Sequence, residues 1–318
     1  MTLSEHVRTL GRGPGRARSL TQDEAREAMR LMLRPDAAPE AVGALLMLLR
    51  MKGEVAEEIA GFTQGVQASL LPLPQVDLDW PSYAAGRTRG LPWFLLSARL
   101  LASAGHRVLL HGWNGDDGAV RGGLAAAGIA VADTPDQAAR LLDQHGIAYL
   151  PLEILSPALF HLLSLRQQLG LRSCINTVCR MLNPARAKAS VQGVFHPSYR
   201  LLQADAAALM GWRALSVIKG GGGEFERHPA KEIAGFGLRG GQPWEGTLPS
   251  LIDDTRRLDD GARDPAALAA LWSGELDDPF ARQVVLGTAA LALDTLGDAQ
   301  SDTTARSLWA ARRTAQAA

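Results

Sequence analysis

The residues of this chain best able to do chemistry are cations, and they are segregated along it. From Trp80 to Gly115 there is no Asp or Glu, while Arg87, Arg89, Arg99 and Arg107 fall in that window. From Ile154 to Ala204 there is again none, against Arg166, Arg172, Arg180, Arg186, Lys188 and Arg200. Acid is concentrated elsewhere, at Asp253, Asp254, Asp259, Asp260, Asp264, Glu275, Asp277 and Asp278. Lys+Arg and Asp+Glu are equal at 33 each, so net charge says nothing of a polyanionic partner and only the distribution does. Two basic windows folded onto one cleft would make a groove for phosphates; spread over unrelated helix faces, they would be solvated surface. Trp80, Tyr83, Trp93 and Trp113 lie in the first window, and bases of single strands stack on such rings. Trp93 sits inside an apolar helical run and fits a core, which leaves Trp80 and Tyr83 as the stacking candidates.

A third feature is Lys219 followed by four glycines, Gly220 to Gly223, and then by Glu224 and Glu226. Glycines can serve a flexible turn, or they can present free amides beside a lysine to a phosphate; the residues alone leave both readings open. Other chemistry finds no motif: no Gly-x-Ser-x-Gly elbow, no paired metal histidines, no dinucleotide fingerprint. The two cysteines, Cys174 and Cys179, stand in an apolar helical stretch without zinc-site company, which reads as buried free thiols of a reducing compartment. The N-terminus lacks an apolar leader core and no charge-free run could span a bilayer. The expectation is a cytoplasmic protein with no membrane partner.

The elements that must position these residues fall into two groups. Up to about Gln67 the chain reads as short amphipathic helices. Thr21-Gln22-Asp23-Glu24 has the capping-box pattern, with Ala28, Leu31 and Met32 at helical spacing after it. Ala41 to Met51 and Glu54 to Ser69 read as two more helices, and Leu71-Pro72-Leu73-Pro74 closes the segment because proline cannot continue a helix. Beyond it, Val108–Leu110, Ile129–Val131, Ala148–Leu150, Val191–Phe195 and Ala214–Ile218 are expected strands. Pro92–Ala104, Pro135–Gln144 and Tyr199–Met210 are the helices between them. Apolar strands alternating with helices argue for a parallel sheet covered on both faces. Two alanine-rich helices, Pro279–Leu296 and Asp302–Ala315, end the chain. With 318 residues and 47% hydrophobic content, there is enough material for a large core.

Several stretches then point to a family. Leu20-Thr21, Glu24-Ala25, Ala44 to Met47, Leu49-Arg50-Met51-Lys52-Gly53-Glu54 and Glu58-Ile59-Ala60-Gly61 are followed by Leu169-Gly170-Leu171-Arg172, Asn176, Leu182-Asn183-Pro184-Ala185 and Gly193-Val194-Phe195-His196-Pro197. This succession resembles the anthranilate phosphoribosyltransferase family, which includes thymidine-phosphorylase-like glycosyltransferases. Asp79 to Tyr83, His111 to Asn114 and Lys219 to Glu226 resemble its divergent YbiB-type branch, whose members are dimeric nucleic-acid-binding proteins. The resemblance implies an α/β fold: a small N-terminal helical domain, residues 1–72, with helices near 161–182 packed on it. It implies, too, a larger domain, 73–318, with a mainly parallel sheet. A homodimer through the helical domain follows from it, with apolar faces around Leu31, Leu45 and Leu48 to pack.

The same resemblance marks what the chain lacks. Where the family holds diphosphate on a Gly-Thr-Gly-Gly-Asp turn, this chain has Tyr83, Ala84 and Ala85. Where the family has Asn-x-Ser-Thr, it has Pro92-Trp93-Phe94-Leu95. Lys-His-Gly-Asn is replaced by Leu110-His111-Gly112-Trp113, and the magnesium-binding Asp-Glu pair by Phe225-Glu226. Arg172 matches an arginine that lies beside anthranilate in the family. The expected function is therefore binding of nucleic acid, DNA or RNA and single-stranded, without catalysis and without a cofactor. Its expected contacts are Arg87, Arg89, Arg172, Arg180, Arg186, Lys188 and Lys219, with Trp80 and Tyr83 stacking. The alternative is a glycosyl- or phosphoribosyltransferase with a divergent donor site, using phosphoribosyl diphosphate and magnesium held by Glu224 and Glu226.

Overall fold

The computed structural model describes residues 2–13, 15–84, 90–113 and 118–312. Four helices open the chain: α1 (Leu3–Gly11), α2 (Gln22–Met32), α3 (Pro39–Lys52) and α4 (Ala56–Gln67). Then come β1 (Leu78–Ser82), α5 (Phe94–Ser103), β2 (Val108–Gly112), α6 (Ala119–Ala126), α7 (Pro135–His145) and β3 (Ile147–Pro151). Short helices α8 (Leu152–Leu155), α9 (Pro157–Ser164), α10 (Arg166–Leu169) and α11 (Ile175–Arg180) follow. The chain continues through β4 (Ala189–Val194), α12 (Tyr199–Leu209), β5 (Ala214–Lys219), β6 (Ile233–Arg239) and β7 (Gln242–Leu248). It ends with α13 (Ala266–Ser273), α14 (Pro279–Leu296) and α15 (Ser301–Ala311).

The seven strands form one sheet in the order β3-β2-β1-β4-β5-β6-β7. The first five are parallel, and β6 and β7 are an antiparallel hairpin on the far edge. The expected α/β class, with its helical domain and mainly parallel sheet, is what the chain adopts. Leu159, Leu162, Ile175 and Val178 pack in one apolar core with Met29, Leu45, Leu46 and Phe62 of the first helices. That core also takes in Leu109, Leu150, Val194 and Val217 from one face of the sheet. The other face buries Leu78, Trp80, Leu110 and Val191 against α5 and α14.

The structure departs from these expectations at four points. Ile129–Val131 makes only an isolated bridge, Val131 to Tyr149, on the outer edge of β3. Strand β1 was not expected, since Asp79 and Pro81 interrupt its apolar run; both fit because Asp79 has buried partners and Pro81 stands near the strand's end. The β6–β7 hairpin was also missed, although Gly240 and Gly241, both at positive φ, are the two-residue turn that such a hairpin favours. Leu45 is fully buried inside the chain and cannot offer an apolar face to a second copy. No helix among the described residues is long and apolar enough to cross a membrane. Both cysteines are free and buried, and burial pushes their thiols up.

The start of α2 gives a pH-dependent anchor. Thr21 Oγ1 accepts from the Glu24 amide at 3.2 Å and the Glu24 carboxylate accepts from the Thr21 amide at 2.9 Å. Arg18 donates two bonds to that carboxylate, at 2.6 and 2.7 Å, and chiefly for this reason its pKa is lowered to about 2. A depressed carboxylate contributes stability above its unfolded value of 4.5 that is lost as pH falls through about 2. Glu24→Gln is therefore expected to melt below the parent at pH 7, with the gap closing as pH falls below 4.5. A gap that stays constant across that range in thermal melts would refute the anchor.

Candidate functional site

The strand order reverses between β1 and β4, and open α/β sheets hold ligands at such a point, beyond the carboxyl ends of the strands. The two strands pair only through Leu78–Ala189 and Asp79–Ser190 and then part. In this chain its own residues fill the gap. The buried guanidinium of Arg180 donates to the carbonyls of Gly193 at 3.0 Å and Tyr83 at 2.9 Å, and to Asn176 O at 3.2 Å; the Asn176 side-chain oxygen also accepts from it. Burial pulls its pKa down, with the charge of Glu224 the main opposing influence. Arg180 thus ties α11 to the ends of β1 and β4, and it is not a phosphate contact held out to solvent.

The carboxylates are drawn in as well. Glu224 and Glu226 are buried. Glu224 accepts from the Ala84 amide at 2.8 Å, and Glu226 accepts from the Phe94 amide at the start of α5 at 2.9 Å. The first places a protein anion on the turn after β1, and the second puts one on the helix end that favours negative charge. Only glycine fits at Gly193, because a Cβ there would lie 2.0 Å from the Glu224 carbonyl carbon. Above them crosses the segment between β7 and α13. A Cβ on Gly90 would meet the Leu258 carbonyl oxygen at 2.0 Å, and one on Gly221 would meet the Leu258 side chain at 2.9 Å. Leu258 therefore sits against both loops at the head of the sheet. The glycine run is a turn: the amides of Gly220, Gly223 and Glu224 donate to Val194, Gly220 and Gly221 carbonyls, so these three are not open to a phosphate.

Neither stacking candidate is available. Trp80 and Tyr83 are fully buried. Trp80 packs between Phe94, centroids 6.0 Å apart, and Phe225, 5.4 Å and edge-on. The Tyr83 hydroxyl lies 2.8 Å from His111 Nδ1; His111 Nε2 lies 3.1 Å from Asp79, which accepts from Ser190 at 2.8 Å. This buried relay satisfies Asp79 beneath the turn, and burial pushes the Tyr83 phenol up.

The expected convergence of the two basic windows holds only in part. Arg87 and Arg89 lie outside the described residues. Arg99 packs over Trp272 at 4.1 Å and donates to Ala127 O, while Arg107 is ion-paired with Asp143 at 2.9 Å. Arg166 stacks on Trp113 and Arg200 on Phe236. Arg186 and Lys188 precede β4, whereas Arg180's partner Gly193 is near its far end. Six strand residues at about 3.3 Å each put roughly 20 Å between those levels, so these two cations face the opposite end of the sheet. Lys219 is exposed at the carboxyl end of β5, beside Val194.

What does form is an open cleft between the helical and α/β layers. It encloses about 220 Å³ and is lined by Arg50 of α3, Arg172, Asn176 and Arg180 around α11, and Phe195, His196 and Tyr199 after β4. No Asp or Glu lines it; Glu54 stands behind, accepting from the Tyr199 hydroxyl at 3.4 Å. Phe195 is 37% exposed, with His196 edge-on at 4.9 Å. Arg172 is where the sequence placed it, in a cationic pocket. Arg50, Phe195 and His196 were missed as site residues, although each stands in a stretch that carried the family resemblance. Only the fold brings positions 50, 172 and 195 together.

Known proteins place this architecture. The helical bundle domain of a glycosyl transferase family matches residues 4–70, and the a/b domain of that family matches residues 95–238. An anthranilate phosphoribosyltransferase of Serratia proteamaculans is 28% identical over 282 residues, 80% of this chain and 84% of that protein. One from Rhodopseudomonas palustris is 29% identical over 294 residues, 89% and 86% respectively. Among solved structures, the anthranilate phosphoribosyltransferase of Thermus thermophilus superposes with a TM-score of 0.81 at 24% identity, covering 99% of this chain and 96% of that one. The Saccharomyces cerevisiae enzyme in complex with PRPP and Mg gives 0.77 at 17% identity, covering 99% and 95%. With a helical bundle and an α/β domain that both match in chain order, this chain belongs to the glycosyl transferase family in which the anthranilate phosphoribosyltransferases are found.

Proposed function

We propose that this family member binds single-stranded nucleic acid in the acid-free cleft and does not transfer phosphoribosyl groups. The observation that carries the reading is the fate of the carboxylates. Glu224 and Glu226 are buried and already accept main-chain amide protons where a donor diphosphate and its metal would need them open. Magnesium takes near-octahedral oxygen ligands and keeps several waters. Carboxylates sealed beneath Leu258 and already engaged with main-chain amides do not suit it. The cleft beside them pairs Arg50 and Arg172 with the exposed Phe195 ring, the cation-and-aromatic combination that tracks a single strand. Lys219, exposed at the end of β5, would add positive charge at the head of the sheet.

A second reading has specific support. The relatives at 28% and 29% identity are named anthranilate phosphoribosyltransferases, and Arg172 in a cationic pocket suits an aromatic carboxylate as it suits a phosphate. One experiment separates the two. The purified chain is titrated with a fluorescent oligothymidylate of about 20 nucleotides, long enough to span such a groove, and incubated separately with anthranilate, phosphoribosyl diphosphate and magnesium. The expected result is salt-sensitive oligonucleotide binding and no phosphoribosyl-anthranilate above a protein-free control. Product formation abolished by Glu226→Ala, with no oligonucleotide binding, would establish the transferase reading instead.

A further inference from the structure

At the opposite end of the sheet lies a second, larger cavity, about 480 Å³, where the helical layer meets the amino ends of β4 and β5. Arg26, Gln64 and Gln67 come from α2 and α4, Asn183, Arg186 and Lys188 from the turn before β4, and Trp212 and Arg213 from the turn before β5. No carboxylate lines it. Arg26 is ion-paired with Asp23 at 2.5 Å. The side chains of Arg186, Lys188 and Arg213 have no hydrogen-bond or ion-pair partner among the described residues, and all three are exposed. Other exposed cations, Arg12, Arg140 and Arg257 among them, are also without an acid among the described residues; what marks these three is that they line one cavity.

The turn that carries two of these cations is held in an unfavourable shape. Asn183 has φ 38° and Arg186 φ 51°; asparagine tolerates the left-handed region, whereas arginine enters it at a cost. Nothing lets the turn relax. Asn183 Oδ1 accepts from the Ala187 amide at 2.7 Å, its Nδ2 donates to Ala187 O at 3.0 Å, and Gln67 donates to Leu182 O at 2.7 Å. Backbone strain kept in place by surrounding bonds is found at binding sites, where it preorganises a side chain. Here it holds Arg186 on the lining of a cavity that Lys188 and Arg213 also line.

We propose that this cavity binds a chain of linked phosphate groups. Three convergent cations match several closely spaced negative charges better than one, and a lining free of acid rejects nothing that such a ligand presents. The chemistry could belong to a nucleic-acid backbone or to a free condensed phosphate. The inference does not rest on the cleft at the other end of the sheet, which uses different residues.

The test uses the full chain and two probes, inorganic tripolyphosphate by titration calorimetry and the fluorescent oligothymidylate by anisotropy. The triple variant Arg186→Gln/Lys188→Gln/Arg213→Gln is expected to bind tripolyphosphate at least about tenfold more weakly, since each lost contact also removes its share of counterion release. Arg50→Gln/Arg172→Gln in the cleft, which is itself cationic, is expected to weaken tripolyphosphate binding less than the triple variant does. Because the three side chains are exposed and unpaired, the melting temperature should not move, and Arg186→Lys/Arg213→Lys, which keeps the charge, should retain most of the affinity. If the triple variant also weakens oligothymidylate, the source is a nucleic-acid backbone; if it weakens tripolyphosphate alone, a condensed phosphate is the ligand. Wild-type affinity of the triple variant for both probes, no tripolyphosphate binding by the parent, or loss of that binding only in the cleft variant would each overturn the proposal.

Discussion

Arg180→Ala is expected to lose about 3 kcal/mol or more of folding stability, because several buried acceptors lose their donor at once. The guanidinium supplies the bonds that hold Gly193 O, Tyr83 O and Asn176 in the gap between β1 and β4. Without it those acceptors stay buried and lose their partner, which costs about 1–3 kcal/mol for each group left unsatisfied. Arg180→Lys should recover little, because one ammonium cannot reach three carbonyl directions in the plane of a guanidinium. Denaturant unfolding of the parent and both variants measures this. A variant as stable as the parent that had lost oligonucleotide affinity would return Arg180 to the role its sequence context suggested, a phosphate ligand.

The double variant Arg50→Gln/Arg172→Gln should instead show its effect in ligand binding. Each phosphate contact on a single strand contributes about −0.7 to the slope of log affinity against log salt, so removing two should flatten that slope by about 1.4. Phe195→Ala should weaken binding by about 1–3 kcal/mol, the value of one stacked base, and leave the slope alone. The split between slope and affinity distinguishes a charged contact from a stacking one, which a single affinity cannot. Oligonucleotide binding that is unchanged in both variants would remove the cleft from the reading and leave the transferase to be tested on its own terms.

The alternation of strands and helices was legible because apolar runs and turn residues are local, and the capping box at Thr21 came through for the same reason. The site was harder to read. Trp80 and Tyr83 stand in an acid-free window that would look the same whether the rings faced solvent or core; the deciding fact is that β1 is a central strand, and Asp79 and Pro81 disguised it. Arg180, Arg186 and Lys188 are close in sequence, yet a single strand separates the levels they serve, so closeness along the chain implied a convergence that the fold does not make. Arg50 and Phe195 carry no local signal of partnership at all. Their meeting depends on α3 and the end of β4 packing across one layer, and only tertiary structure records that. Leu258 is the extreme case: an ordinary leucine in an acidic loop that closes the head of the sheet because Gly90 and Gly221 leave it room.

The first helices and one face of the sheet share a single apolar core, with Met29, Leu46 and Phe62 buried alongside Leu150 and Val217. The walls of the cleft therefore belong to one packed body, and they cannot swing apart without exposing that core to water. Such a slot is preorganised. A strand entering it must surrender its own conformational freedom while the protein gives up almost none, so the entropic cost of association falls on the ligand. Stiffer strands, already stacked before they arrive, would on that account be held more tightly than limp ones of the same charge.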